Sequence, residues 1–572
     1  ISGSDTHYWF NLKFKTPKSP NRDSEVYFSL ITGKEGEWDA KNPQGLVYIN
    51  SKIVQGLDVN HTELRLDFDT EYDMHIYFYV GMTTDAVRFL PSVFVCDSQI
   101  KKLYYDLYVP LCAALCQAPD SDEHVSIIKA LDLALMELDL RKPKSDLYYK
   151  SIDKTIDILK KDFYEKICGE NGKTVSCIGH THIDIAWLWT LKQTREKAQR
   201  SFSTVLNLME QYPEYKFMSS QPHLYENVKQ DAPELYERIK KAVKDGRWEI
   251  EGAMWLPDVF GYSATMPQIL KKCGVNKFVT SKISWNETNR MPFENFMWEG
   301  IDGTKIFTEF MTAQDYKYDE PIRNGATYVG YIRPSQVLGS WKRYTLKEYN
   351  TNPLLTFGFG DGGGGPTADM LEQQKRTSFG LPGIPKTKIE FSKDHLENVY
   401  NNFKEASKKL RHTPTWVGEL YLEFHRGTYT SIAKNKKNNR TSELLYQKAE
   451  TAGVFDRLLT GADYNRAIYY NGWRGIVTNQ FHDIIPGSSI FDVYEQCDID
   501  YKKIIDSGND AFEKSISSIA SNLQTEGGTF AYNPNSFAVS DVIENNGKYV
   551  YVKDVPAFGY SVCKPKEACS VK

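Results

Sequence analysis

The pattern of apolar and polar residues changes character several times along the chain. Residues 1 to about 100 carry short β-type runs, such as Leu46-Val-Tyr-Ile49 and Met74-His-Ile-Tyr-Phe-Tyr-Val80, with turn residues between them. That pattern predicts a small antiparallel β domain. Over 101–170 apolar residues recur at three- and four-residue spacing, as in 125–140 and 152–167, and predict helices. From 171 to about 395 strand-like runs alternate with helical ones. Strands are expected at 174–178, 215–219, 247–253, 277–283 and 354–358, with helices at 195–211 and 232–245. Repeated βα units imply a parallel sheet, barrel-like or doubly wound, with active groups just past the carboxyl ends of its strands. Long amphipathic segments in 396–525, such as 442–459 and 492–520, predict a helical bundle. The stretch 526–572 returns to β-type runs. The expected fold class is therefore multidomain α/β.

Composition narrows the partners. The 572 residues include 70 basic and 74 acidic ones, a net charge of −4, so no nucleic-acid partner is expected. The basic run 434–440 reads as a solvated loop. With 41% hydrophobic and 25% charged residues the chain is globular rather than disordered. No apolar run approaches the ~20 residues of a membrane span, so no membrane partner is expected. No secretory signal opens the chain. The nine cysteines are odd in number and form no CxxC pair, which favours free thiols in a reducing, cytoplasmic compartment.

Five segments hold candidate chemistry. Gly179-His-Thr-His-Ile-Asp-Ile-Ala-Trp-Leu-Trp189 follows a predicted strand, and alternate residues there can face one side. His182 and Asp184 offer donors suited to Zn²⁺, although histidines at strand ends are often merely hydrogen-bonded. Asp258, in Trp255-Leu-Pro-Asp-Val-Phe-Gly-Tyr-Ser263, reads equally as an Asx turn. His482 and Asp483 lie in an apolar stretch and could be a satisfied core pair. Gly358-Phe-Gly-Asp-Gly-Gly-Gly-Gly-Pro-Thr367 lacks the lysine and hydroxyl ending of a P-loop; its glycines would let backbone approach a ligand while Asp361 points into a pocket. Glu419, Glu423, His425 and Arg426 alternate with apolar residues, as on a strand face.

Taken together, in this order, the segments resemble glycoside hydrolase family 38 class II α-mannosidases, most closely their bacterial and cytosolic/vacuolar branch. The resemblance runs through 180–189, 255–270, 282–289, 358–367, 418–431 and 481–487. It implies a zinc-dependent retaining exo-α-mannosidase acting on mannose-containing oligosaccharides by double displacement. Zn²⁺ would be bound by His182, Asp184, Asp258 and His482, with Asp258 also the nucleophile. Counting back from Gly427-Thr-Tyr-Thr-Ser431 puts the acid/base at Glu419, with Glu423 and Asp361 as alternatives. Trp187 would stack on the sugar, and Asp361, Tyr262, His425 and Asp483 would complete its binding wall. On this reading 171–395 is the catalytic domain, 101–170 a helical linker, 396–525 a bundle that completes the active site and 526–572 the start of a C-terminal β domain. A homo-oligomer is left open.

One departure bears on the nucleophile. Glu251-Gly-Ala-Met-Trp255 runs straight into Leu-Pro-Asp258, where the family has some tens of residues between two such motifs. Two other readings therefore stand beside the mannosidase. One is a catalytically impaired mannoside-binding relic. The other is a zinc amidohydrolase, which would call for a lysine or further histidines at later strand ends.

Overall fold

The computed structural model describes residues 3, 5–34, 36–37, 42–81, 86–87, 89–169, 172–250, 252–545 and 547–564. Cys569 and Glu251 lie outside these. The chain divides into two compact units. One comprises Ile1–Asp184 with Leu191–Arg426, and the other Ile185–Thr190 with Gly427–Lys572.

The first unit opens with two antiparallel sheets. In one, Thr6–Lys15, Glu71–Val80, Gln44–Ile49 and Lys52–Leu57 are neighbours in that order; in the other, Glu63–Leu66, Ser24–Leu30 and Pro91–Asp97. Alternate side chains of Glu71–Val80 (Met74, Ile76, Phe78) turn inward and meet Val26, Phe28, Val47 and Leu64 in one apolar core. Helices Ser98–Leu115, Asp122–Leu135 and Asp146–Ile158 follow. Asp97, Ser121 and Ser145 cap their N-termini by accepting backbone N–H groups.

The rest of this unit holds two further sheets. The first is parallel: Trp248–Glu249, Phe217–Met218, Thr174–His180 and Leu354–Phe357 in order, with Lys386–Ile389 also paired to Thr174–His180. Its central strand is apolar without alternation (Val175, Cys177 and Ile178 are buried), as expected where both faces are covered. The second sheet runs Met254–Trp255, Lys277–Thr280, Lys305–Phe310, Asn295–Glu299 and Thr415–Val417, and contains one antiparallel pair. Within the strand expected over 247–253, Trp248–Glu249 is a strand, and Met254–Trp255 just past it belongs to the other sheet. The chain changes sheets between Glu249 and Met254. Helix Ser392–Leu410 and strand Thr415–Val417, expected in the bundle, pack in this unit instead. Glu249 fixes the helix start: its carboxylate accepts the N–H groups of Ser392 and Lys393, at 2.8 and 3.0 Å.

The second unit contains helices Ala433–Thr460, Arg466–Asn479 and Phe491–Ser521. The basic run 434–440, read as a loop, begins the first of them. Gly472 lets the second helix approach Tyr446, whose ring would lie 1.8 Å from a Cβ there. Strands Thr529–Asn533 and Gly559–Cys563 pair, as do Val539–Asn545 and Lys548–Val555. Among the described residues the cysteines are free thiols, and no helix is long and apolar enough to cross a membrane.

Candidate active site

The expected chemistry gathers past the carboxyl ends of three parallel strands in the first unit. His182 and Asp184 follow strand Thr174–His180. Three contacts hold this extended segment. Gln221 clasps Ile183, accepting its N–H at 3.1 Å and donating to its carbonyl at 2.7 Å. The Thr181 hydroxyl donates to the Phe359 carbonyl, and that of Thr194 to the Asp184 carbonyl. The two side chains meet, His182 Nε2 lying 2.8 Å from Asp184 Oδ1. Asp258 follows strand Met254–Trp255. Its preceding carbonyl, on Pro257, accepts both the N–H and the hydroxyl of Ser281.

His182, Asp184 and Asp258 are buried, and each offers a ligand atom within 4.8 Å of the others'. Asp361 follows strand Leu354–Phe357 in a left-handed conformation, φ 52°. Its carboxyl accepts the Tyr328 hydroxyl, and the Tyr328 ring stands edge-on to His182 at 5.2 Å. The residue is half-buried. Burial first, then the Asp184 and Asp258 carboxylates, push it up to about 6. His180, just outside the set, is pushed down to about 3 by burial and then by His182.

Sequence reasoning missed two groups. Lys282, two residues past strand Lys277–Thr280, donates to Asp258 Oδ1 at 2.5 Å. Its place at a parallel strand's carboxyl end was the available signal. It is also the kind of lysine an amidohydrolase would use, but here it is ion-paired with the aspartate. Tyr328 lies in a stretch without regular structure, and no pattern marked it.

Other expected residues sit differently. Glu419 is exposed on the surface. Glu423 accepts the N–H groups of Thr288 and Asn289, each at 3.0 Å. Against the opposing effect of burial, these bonds hold its carboxyl below the usual range, the reverse of what an acid needs. Tyr262, expected at the sugar, is a core residue. Its hydroxyl donates to the Leu256 carbonyl at 2.7 Å and meets Thr280 at 2.8 Å, and its ring packs on Phe278. His425 is half-buried, edge-on to Phe260 at 4.5 Å. Its pKa is lowered by burial and then by Lys282.

In the second unit Trp187 is half-buried, and its carbonyl accepts the Ile490 N–H at 2.8 Å. His482 is buried, with Nε2 3.4 Å from Asp483. The Asp483 carboxylate also accepts the Ser488 hydroxyl at 2.6 Å. Within the first unit, the buried His182, Asp184 and Asp258 offer an imidazole and two carboxylates of the kind that bind a metal ion. The fit is chemical as well. Asp184 and Asp258 are buried with ligand atoms within 4.8 Å of each other, and a cation between such carboxylates would relieve their repulsion.

Comparison with known proteins agrees with this arrangement. The description "Glycosyl hydrolases family 38 N-terminal domain" matches residues 172–256 and 252–419, two segments that meet where the tryptophan motifs run together. "Alpha mannosidase middle domain" matches 423–519. Alpha-mannosidase G of Dictyostelium discoideum is 30% identical over 554 residues, 86% of this chain and 47% of that one. Human alpha-mannosidase 2C1 is 34% identical over 385 residues, 61% of this chain and 35% of that one. The chain thus spans about half, or less, of the length of these curated relatives. In fold it is similar to the crystal structure of an alpha-mannosidase from Enterococcus faecalis V583, with a TM-score of 0.52 and 18% identity over 65% of this chain and 46% of that one. Two family descriptions in sequence order, the first covering Asp184 and Asp258 at their strand ends, together with the 30% identity to Alpha-mannosidase G over 86% of this chain, lead to one conclusion: the chain belongs to glycosyl hydrolase family 38.

Proposed function

We propose that the protein is a Zn²⁺-dependent retaining exo-α-mannosidase that removes mannose from oligosaccharides. The observation that carries this reading is the contrast between two carboxyl groups in one site. Asp258 is paired with the Lys282 ammonium, which favours the ionised form of a nucleophile. Asp361 is pushed toward neutrality, up to about 6, as a proton donor needs to be. A retaining glycosidase uses one carboxyl of each kind.

His182, Asp184, Asp258 and His482 would hold the ion. Bound there, it would supply a cationic anchor for two adjacent mannose hydroxyls. Asp258 attacks the anomeric carbon while Asp361 gives its proton to the departing glycosidic oxygen. Water then opens the glycosyl ester as Asp361, now a carboxylate, takes a proton from that water, releasing mannose and restoring the Asp258 carboxylate. Asp361 takes this role in preference to Glu419, because Glu419 is exposed while Asp361 is half-buried within the field of the Asp184 and Asp258 carboxylates. Trp187 stacks on the sugar, and His425 and Asp483 line its site. Free thiols throughout the described residues support a cytoplasmic location.

The test is cleavage of 4-nitrophenyl α-mannoside, with the product anomer followed by NMR, before and after chelation and zinc re-addition. Chelator-sensitive cleavage with retention is expected. Zinc-loaded protein without cleavage would support the relic, and amide cleavage without glycoside cleavage the amidohydrolase.

A further inference from the structure

The Asp361 carboxyl sits on a glycine-rich turn closed by its own backbone, where Phe359 and Gly365 exchange N–H···O bonds at 2.9 Å and the Gly363 N–H reaches the Gly360 carbonyl at 2.8 Å. Asp361, Gly362, Gly364 and Gly365 all have positive φ, at 52°, 79°, 91° and 87°. Glycine-rich chain in the left-handed region has many other conformations open to it, so these few bonds leave room for further contacts to fix one geometry.

Three buried residues supply further contacts at both ends of the segment. Asp58 and His61 belong to the N-terminal β domain, in the turn after strand Lys52–Leu57. Arg200 lies on helix Leu191–Gln211. All three are nearly inaccessible to solvent, at 0, 6 and 2%. His61 Nδ1 lies 3.0 Å from Asp58 Oδ1, and Nε2 lies 2.9 Å from the Pro366 carbonyl oxygen. Carboxylate and carbonyl oxygens only accept, so both ring nitrogens carry hydrogen and the ring is an imidazolium. The other Asp58 oxygen accepts from Arg200 Nη1 at 2.7 Å, and Arg200 Nη2 donates to the Gly362 carbonyl. One carboxylate thus holds two cations, and each cation ends on a carbonyl at one end of the glycine segment. The fit is close: a Cβ on Gly364 would lie 2.7 Å from the His61 ring and 2.9 Å from Asp58 Oδ2.

We propose that Asp58, His61 and Arg200 are positioning residues for Asp361: the N-terminal β domain braces the glycine segment and so sets where the acid/base carboxyl stands. This rests on the role given to Asp361 above. The β domain is on this account part of the catalytic apparatus, although it lies outside the residues that the family descriptions match.

The experiment uses the full chain with His61→Ala and Arg200→Lys, and Val26→Ala as a control. Val26 is fully buried in the β-sandwich core, so its variant loses stability without touching the brace. Hydrogen exchange of the 359–366 peptide is read first, because it requires no view of the chemistry. Exchange there rises in His61→Ala and Arg200→Lys and not in Val26→Ala. With an aryl α-mannoside, kcat of His61→Ala falls by about ten- to a hundredfold while KM moves less than about threefold, the scale expected of a displaced catalytic group. Arg200→Lys keeps the charge facing Asp58 and falls less. The double variant His61→Ala/Asp361→Asn is no slower than Asp361→Asn alone, because both changes act through one carboxyl. Unchanged exchange at 359–366, losses that multiply in the double variant, or an equal kcat loss in Val26→Ala each overturn the brace. An Asp361→Asn variant with full activity overturns the role of Asp361 instead, and the exchange result then still decides whether the segment is held from the β domain.

Discussion

His395 joins the two sheets that carry the site, and its replacement by glutamine has a worked consequence. The side chain is inaccessible to solvent on helix Ser392–Leu410. Nε2 lies 3.1 Å from both oxygens of Glu309, on strand Lys305–Phe310 of the mixed sheet. Nδ1 lies 3.8 Å from Glu390, which also accepts the hydroxyl of Ser176 on the central parallel strand. Burial alone would lower the His395 pKa, but the carboxylates of Glu309 and then Glu390 outweigh it and raise it from 6.5 to about 9. At about 1.4 kcal/mol per pH unit the rise is worth roughly 3 kcal/mol of folding stability. Because the folded pKa is the higher one, this contribution is fully present below pH 6.5 and is lost as pH rises through 9. Glutamine can keep one donor but not the charge. In thermal unfolding from pH 6 to 9.5, His395→Gln should melt roughly 3–6 °C below the parent at pH 6, and the gap should close toward pH 9.5. A gap that stays constant or widens with alkalinity would refute the imidazolium.

Asp258→Asn should lower turnover at least about a thousandfold and reduce zinc per chain measured by emission spectrometry; near-normal activity would remove the nucleophile assignment. Asp361→Asn should cost about 10²–10⁴-fold with poor leaving groups and much less with activated aryl mannosides, whereas Glu419→Gln should leave that dependence unchanged. A steeper dependence in Glu419→Gln would return the acid role to it. Gly358→Ala should lower the melting temperature sharply, by the equivalent of about 2 kcal/mol or more. Its φ is 129° and its Cβ would lie 2.2 Å from the His180 carbonyl oxygen. An unchanged melting temperature would contradict that packing.

Long periodic segments were legible from one end of the chain to the other. The segment expected at 492–520 is helix Phe491–Ser521, and that expected at 232–245 is Pro233–Lys244. Both carry a helical repeat of apolar positions for many turns, so the signal accumulates. The strand expected over 247–253 proves too long, because a short alternating run does not reveal where its pairing with one sheet ends. Glu419 drew attention because alternation along 418–426 suggests a strand face, yet strand Thr415–Val417 ends before it. Tyr262 lies among motif residues and reads as functional, but its hydroxyl is spent on Leu256 and Thr280 inside the core.

The sequence by itself determined the family, the alternation of strands and helices, and the residue types for metal and carboxylate chemistry, because these are written locally, in spacing and in motif order. Tertiary structure decided which carboxyl stands among other carboxylates and which is exposed, that Lys282 faces Asp258, and that a turn of the N-terminal domain reaches the glycine segment some three hundred residues later. Charge state and position depend on burial and on through-space neighbours, and neither is a property of sequence spacing.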